Sequence, residues 1–384
     1  MARNYIKQSL RLRRKRKTST KSGRIDKTLL WVSVLMTVVG ILAVSDASAP
    51  QALAVFGDPY FFAKQQIIWS VVGFVGLIVA ASIHYSYWKK NAFIIGAIAG
   101  LLLLAVLIPG IGTKVLGARR WISLGSFGVQ PSEIAKFAMA VVMAKLIDEK
   151  YPFKFGIGLI AGASLLVMLQ PDLGTTLVIA SVGLAQLFVG GMPIINLLAT
   201  VASGALAAGL LILASDYRRA RLMTFLESSG DPLGNSYHMR QILIALGSGG
   251  LLGVGLGQSR QKHLFLPETA SDSVFAVIAE ETGLVGAIVV IALLTFFILR
   301  LMKIAKNAPD NFGKILASGI AFWIAAQMFL NLSSVVAVTP LTGIPLPFFS
   351  YGGSSLVMIL IGVGIILNIS KACVSDKSRH AEKK

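Results

Sequence analysis

The sequence predicts an all-α, polytopic membrane protein with about ten transmembrane helices. Three observations carry that expectation. Of 384 residues, 55% are apolar and only 14% are charged, and the mean hydropathy is +0.75. Soluble domains carry about 25% charged residues, and one water-facing core cannot hide this much apolar surface. The apolar residues also fall in long blocks, which excludes the short alternating segments of an outer-membrane barrel. Finally, Lys and Arg gather between particular blocks rather than uniformly.

Each helix needs about 20 apolar residues to cross a bilayer core. Spans are expected at 29–45, 67–83, 92–108, 133–148, 155–170, 173–191, 194–214, 273–300, 314–338 and 355–370. Eleven of the 36 Lys and Arg residues precede Thr28. A basic stretch before an apolar run, with Ala47-Ser48-Ala49 after it, imitates a cleaved leader. The run is too long for a leader's core and many spans follow, so it reads as the first span. Span four carries Glu133 and Lys136 and is expected to pack inside the bundle. Spans five and six are separated only by the tight hairpin Gln170-Pro171-Asp172.

The basic tail, Lys89-Lys90, Lys150, Lys154, the 300–314 loop and the C-terminal tail all fall on one side of an even set of spans. The positive-inside rule makes that side cytoplasmic and puts both termini there. The expected organisation is a cytoplasmic tail at 1–28, a membrane domain at 29–370 and a second tail at 371–384. A large extracytoplasmic loop, 215–272, lies between helices seven and eight. Its apolar, glycine-rich middle, 241–256, reads as an interfacial or re-entrant segment.

The net charge of +19 reads as a topology and lipid signal, with no nucleic acid as partner. One cysteine, Cys373, leaves no intrachain disulfide and no cysteine metal site. Neither a Walker A loop nor a dinucleotide fingerprint is present, which argues against ATP-driven chemistry.

Polar groups expected at the outer face cluster in four places. The first holds Arg119, Arg120, Trp121, Glu133 and Lys136; the second holds Gln170 and Asp172. The third, in the long loop, holds Arg218, Arg221, His238, Gln241, Lys262, Glu268 and Asp272. The fourth is Ser350-Tyr351-Gly352-Gly353-Ser354-Ser355. Several have purely structural readings. Glu133 and Lys136, three apart on a helix, could neutralise each other. Asp172 is a natural helix cap, Trp121 an interfacial residue, and Arg218 and Arg221 snorkelling anchors. His238 has no ligand spacing around it and reads as a hydrogen-bonded loop residue.

Asp272 is harder to explain structurally. Glu268 precedes it, Glu280 and Glu281 follow, and the chain has only 17 acids in all. Carboxylates at membrane depth are functional candidates, and partial desolvation favours general-base use. Nearby arginines suit pyrophosphate through bidentate donation. The residues therefore point to a carboxylate base beside a pyrophosphate-binding basic cluster, acting on an anionic, lipid-linked substrate.

Four blocks in order, 117–136, 170–176, 230–286 and 343–355, resemble the SEDS family, which comprises FtsW, RodA and SpoVE, and the likeness runs from the first span to the last. It is strongest to the FtsW branch, through Tyr237-His238-Met239-Arg240-Gln241, the 255–262 segment and the basic tail. The resemblance implies a peptidoglycan glycosyltransferase that polymerises lipid II outside the cytoplasmic membrane, in septal wall synthesis during division. It maps the family's aspartate onto Asp272, within Leu266-Pro267-Glu268-Thr269-Ala270-Ser271-Asp272. Many members carry His and Thr where this chain has Ala270 and Ser271. Under the resemblance Asp272 is the catalytic base. Arg119, Trp121, Glu133, Lys136, Asp172, Arg218, Arg221, His238, Gln241, Lys262, Glu268 and Ser350 are substrate-binding candidates, with Arg119 and Lys262 favoured for the leaving pyrophosphate. It also implies a class B penicillin-binding protein as transpeptidase partner, together with other division proteins. No cofactor is evident; a divalent cation, Mg or Mn, would suit the chemistry, but no recognisable site encodes one. The alternatives are a lipid II flippase, whose charges would line a path through the bilayer, an elongation-type polymerase resembling RodA, and a division scaffold.

Overall fold

The computed structural model describes residues 25–115, 118–124, 127–213 and 237–381. The chain begins with α1 (Lys27–Phe56), α2 (Phe61–Ser82), the one-turn α3 (Ser86–Lys90) and α4 (Ala92–Ala105). A small antiparallel sheet follows, in the order β1 (Gly112–Val115), β2 (Ala118–Leu124) and β3 (Phe127–Val129). Then come α5 (Pro131–Asp148), α6 (Phe153–Met168), α7 (Leu173–Val189), α8 (Ile194–Leu213) and α9 (Tyr237–Ser248). The chain closes with α10 (Val274–Lys306), α11 (Asn311–Val335) and α12 (Gly353–Ala381).

Each of the ten expected spans corresponds to one of these helices. Five (α1, α2, α10, α11 and α12) are long and apolar enough to cross a bilayer, and α4, α6, α7 and α8 are shorter apolar helices. The remaining span, α5, is buried almost all round, as its charges anticipated. Three features lay outside the sequence reading: the one-turn α3, the sheet at 112–129, and helix α9 at the start of the glycine-rich segment.

Aspartates start three of the helices. Asp26, Asp172 and Asp310 each accept a backbone N–H from the first turn, at Leu29, Thr175 and Gly313. Such caps satisfy amides that no intrahelical carbonyl can reach. Pro131 opens α5, where its missing N–H costs nothing.

Lipid supplies no hydrophobic drive between helices, so close approach of small residues and internal polar bonds do that work. A Cβ at Gly73 of α2 would lie 2.5 Å from Leu360 of α12, and one at Gly364 would strike the Leu77 backbone. Inside the bundle, Gln186 of α7 donates to Ala140 O at 2.8 Å and Ile315 O at 3.1 Å, stapling α7 to α5 and α11. Trp323 of α11 is fully enclosed beside them.

The helix α10 is broken near its start. Gly283 lies at φ 68°, ψ −169°, which frees backbone groups there. The segment after α9 takes them up: Val254 N–H donates to Glu280 O and Gly255 N–H to Glu281 O, while Leu284 N–H donates to Gly250 O and Val285 N–H to Leu251 O. Irregular backbone at membrane depth survives only when protein satisfies it in this way.

Candidate active site at one end of the bundle

Asp272 lies immediately before α10 and is half-buried. Its backbone carbonyl accepts Asn331 Nδ2 at 3.1 Å, and the same amide donates to Ile344 O at 2.8 Å. One side chain of α11 thus ties the Asp272 turn to the loop before α12. Tyr351 N–H donates to Ala270 O at 2.7 Å and makes a second tie. Gly343 completes the wall: at φ 70°, a Cβ there would stand 3.5 Å from Asp272 Oδ2.

The same loop reaches α7. A Cβ on Gly174 would lie 2.7 Å from Thr342 O, so the first turn of α7 abuts the 342–344 segment. Asp172 caps that turn, its two oxygens accepting from Thr175 N–H and Thr175 Oγ1 at 3.0 Å each. From β2, Arg120 Nε donates to Gln170 O at 3.1 Å and Nη2 donates to Pro171 O, clamping the hairpin. The sheet also rests on the head of α12, since Gln130 N–H donates to Ser354 Oγ at 3.1 Å. Described residues from all four sequence clusters therefore meet at one end of the bundle.

The candidates play different parts there. Ser350 is buried, and its hydroxyl accepts Leu346 N–H at 2.8 Å, so it shapes the loop. His238 Nε2 lies 2.8 Å from Ser273 Oγ, which couples α9 to the residue after Asp272. Gln241 is half-buried one turn further along α9. Glu268 is exposed at φ 52°; its carboxylate accepts Ser271 Oγ at 2.8 Å and its carbonyl accepts Ser271 and Ser273 N–H. Arg119 and Trp121 are half-buried on β2, opposite Lys114 and Thr113 of β1. Arg218 and Arg221 lie outside the described residues.

Two lysines expected as substrate cations are instead engaged by the protein. Lys136 and Glu133 pair at 2.7 Å with 1% and 2% of their side chains exposed, the neutralising arrangement that their spacing allowed. Lys262 is 5% exposed and reaches Glu281 at 2.7 Å and Asp46 of α1 at 2.8 Å. Burial works against its charge, but the hydrogen bonds to Asp46 and Glu281 outweigh it and hold the pKa above the ordinary lysine value. The reason is dielectric: a buried charge without a partner costs several kcal/mol, so a cation this enclosed needs its counterions.

Glu280 and Glu281 also have structural work. Glu281 accepts the N–H groups of Gly257 and Ser259, and Glu280 accepts those of Arg260 and Gln261 together with Ser259 Oγ. The carboxylates moor the loop that leads into Asp272. Asp46 and Asn331 were missed by sequence reasoning, and Gly343 entered it only as the start of the 343–355 block. Asn331, an amide inside an apolar span, carried the signal that could have found it.

The family model described as cell cycle protein, FTSW_RODA_SPOVE, matches residues 27–374. Stage V sporulation protein E of Bacillus subtilis is 38% identical over 361 residues, covering 92% of this chain and 99% of that protein. A protein of Trichlorobacter lovleyi named as a probable peptidoglycan glycosyltransferase FtsW is 39% identical over 356 residues, covering 90% and 93%. Among solved structures, a chain of a peptidoglycan synthase complex described as coordinating polymerization and crosslinking superposes with a TM-score of 0.74 at 27% identity, covering 90% of this chain and 98% of its own. The rod shape determining protein RodA of Thermus thermophilus gives 0.67 at 27% identity, covering 90% and 97%.

Proposed function

Because the chain belongs to the cell cycle protein family of FtsW, RodA and SpoVE, we propose that it is a peptidoglycan glycosyltransferase that polymerises lipid II, with Asp272 as general base. The observation that carries this is the convergence at Asp272: a half-buried carboxylate walled by Gly343 and held through Asn331 to the loop before α12. A base must be fixed relative to the proton it takes, and here its backbone is anchored while its side chain faces a glycine.

In the reaction, Asp272 takes the proton from the 4-hydroxyl of the acceptor sugar. That oxygen forms a bond to the donor's anomeric carbon as the bond to undecaprenyl pyrophosphate breaks, so configuration inverts. The departing pyrophosphate needs fixed positive charge where water is excluded. With Lys136 and Lys262 engaged elsewhere, Arg119 on β2 takes that role, joined by Arg218 and Arg221. A divalent cation, Mg or Mn, on the pyrophosphate would act from the substrate side.

The reading extends to place and partners. The basic tail and positive-inside distribution support cytoplasmic termini and an active end facing outward. A relative's place in a complex of polymerisation and crosslinking supports a class B penicillin-binding protein as transpeptidase partner, and the FtsW-named relatives support a septal role with other division proteins.

The test is glycan synthesis from purified lipid II by the protein with its penicillin-binding partner. Wild type is expected to make polymer and Asp272→Asn, equally folded, none. Polymer of equal yield from the variant would defeat the assignment of the base. Lipid II translocation in vesicles without polymer from wild type would favour the flippase.

A further inference from the structure

At the end of the bundle farthest from Asp272, α1, α10 and α12 enclose a cleft of about 840 Å³. Its lining includes Asp26, Lys27, Arg300, Lys303, Asn307 and Cys373. Three cations thus face one carboxylate, and that carboxylate is fully engaged. Asp26 Oδ1 accepts Leu29 N–H at 3.0 Å, and Oδ2 takes Arg300 Nε at 2.9 Å and Nη2 at 2.8 Å. Its own N–H donates to Ser370 Oγ at 3.1 Å, which brings α12 into the floor. Lys27 and Lys303 stand exposed at the rim. The cleft therefore has a paired guanidinium at its base, two exposed ammonium groups above and a surplus of two positive charges.

From this geometry we propose that the cleft binds the phosphate of an anionic membrane lipid and so clamps α1 to α10. Position supports the lipid source. Beyond its break at Gly283, helix α10 runs unbroken over residues 284–306, about 35 Å at 1.5 Å per residue, against a hydrocarbon core of about 30 Å. Its last turn, with Lys303, therefore reaches headgroup level. Ile25 and Ile304 line the same cleft and give acyl chains an apolar wall. Charge argues against occupation by the chain's own N-terminal tail, because residues 1–24 add ten further Lys and Arg and only one kind of charge. A basic tail that leads in sequence into a basic cleft favours anionic lipid there. Lys303 also offsets the carbonyl end of its own helix.

The clamp matters because the two helices it joins also meet at the other end. There Asp46 of α1 holds Lys262, whose loop leads into Asp272. A phosphate at the distal end would brace both helices across the whole membrane.

The test uses the full-length chain in detergent, delipidated and titrated separately with phosphatidylglycerol, phosphatidylcholine and inorganic phosphate. Native mass spectrometry counts bound lipid and thermal unfolding reports the clamp. Wild type is expected to hold one phosphatidylglycerol at least tenfold more tightly than Lys27→Gln/Lys303→Gln, with a rise in Tm that the variant lacks. Lys303→Arg keeps the charge and should keep the lipid, which guards against a merely misfolded double variant. Replacing Arg13 and Arg14 by Gln in the tail should leave the tight site in place. Equal binding of phosphatidylcholine, equal affinity in the double variant, or loss of the tight site in the tail variant would each overturn the proposal. A Tm rise with inorganic phosphate alone, at the same affinity as the lipid, would overturn the lipid source.

Discussion

Asp272 and Glu281 stand nine residues apart, yet the fold treats them in opposite ways. Glu281 is 5% exposed and surrounded: Lys262 neutralises it and two backbone amides donate to it. Asp272 is half-buried, its backbone tied by Asn331 and its carboxylate beside a glycine. The first acid holds the loop still; the second sits on what the loop holds. The general base proposed for Asp272 would need a rigid support and an approachable face, and Glu281 and Asp272 would divide those tasks. The contrast also explains why acids are crowded along one segment in a chain that has few.

Four substitutions test that division, beginning with the largest effect. Asp272→Asn should cost about 10²–10⁴-fold in polymerisation, the usual worth of general-base help, while Tm stays at the wild-type value. A variant that lost Tm and activity together would erase the distinction. Lys262→Met should do the reverse. It leaves Glu281 buried without its cation and should lower stability by about 3–5 kcal/mol, measured by denaturation in detergent. Little change in stability would mean that the pair is not the mooring described above.

The intermediate cases sharpen the comparison. Asn331→Ala removes two hydrogen bonds, each worth about 0.5–1.5 kcal/mol net, and lets the Asp272 turn drift from the 343–344 loop. Activity should fall more than stability, with Asn331→Asp poorer than Asn331→Gln because the donor is lost. Gly343→Ala must hold a left-handed backbone at about 1–2 kcal/mol and puts a methyl group against Asp272 Oδ2. Polymer yield should drop by about tenfold if that strain falls on the reacting geometry. Unchanged yield would show that the Gly343 wall is not where substrate passes.

Much of the architecture was legible in the residues. Apolar length alone placed ten helices, because a bilayer fixes how many apolar residues a span must have. Asp172 as a cap and Glu133 with Lys136 as a pair followed from local spacing, since one turn of helix brings residues three and four apart into contact. The sheet at 112–129 was not legible: its strands have three to seven residues, too short for a periodic signal to stand out.

The site divided along the same line. Asp272 could be singled out by its chemistry, as an acid at the head of an apolar helix in a chain short of acids. Lys262 could not be sorted by chemistry, because a lysine that binds pyrophosphate and one that neutralises a glutamate look alike in sequence. What separated them was a partner 216 residues away, Asp46, brought close only by the packing of α1 against the loop. Asn331 and Gly343 likewise gained their roles from loops distant in the chain. Hydropathy and spacing are local properties, so the sequence by itself determined the spans and the Asp172 cap, and singled out Asp272 as the candidate acid. Which charges are already neutralised depends on long-range contact and burial, and that the tertiary structure alone decided.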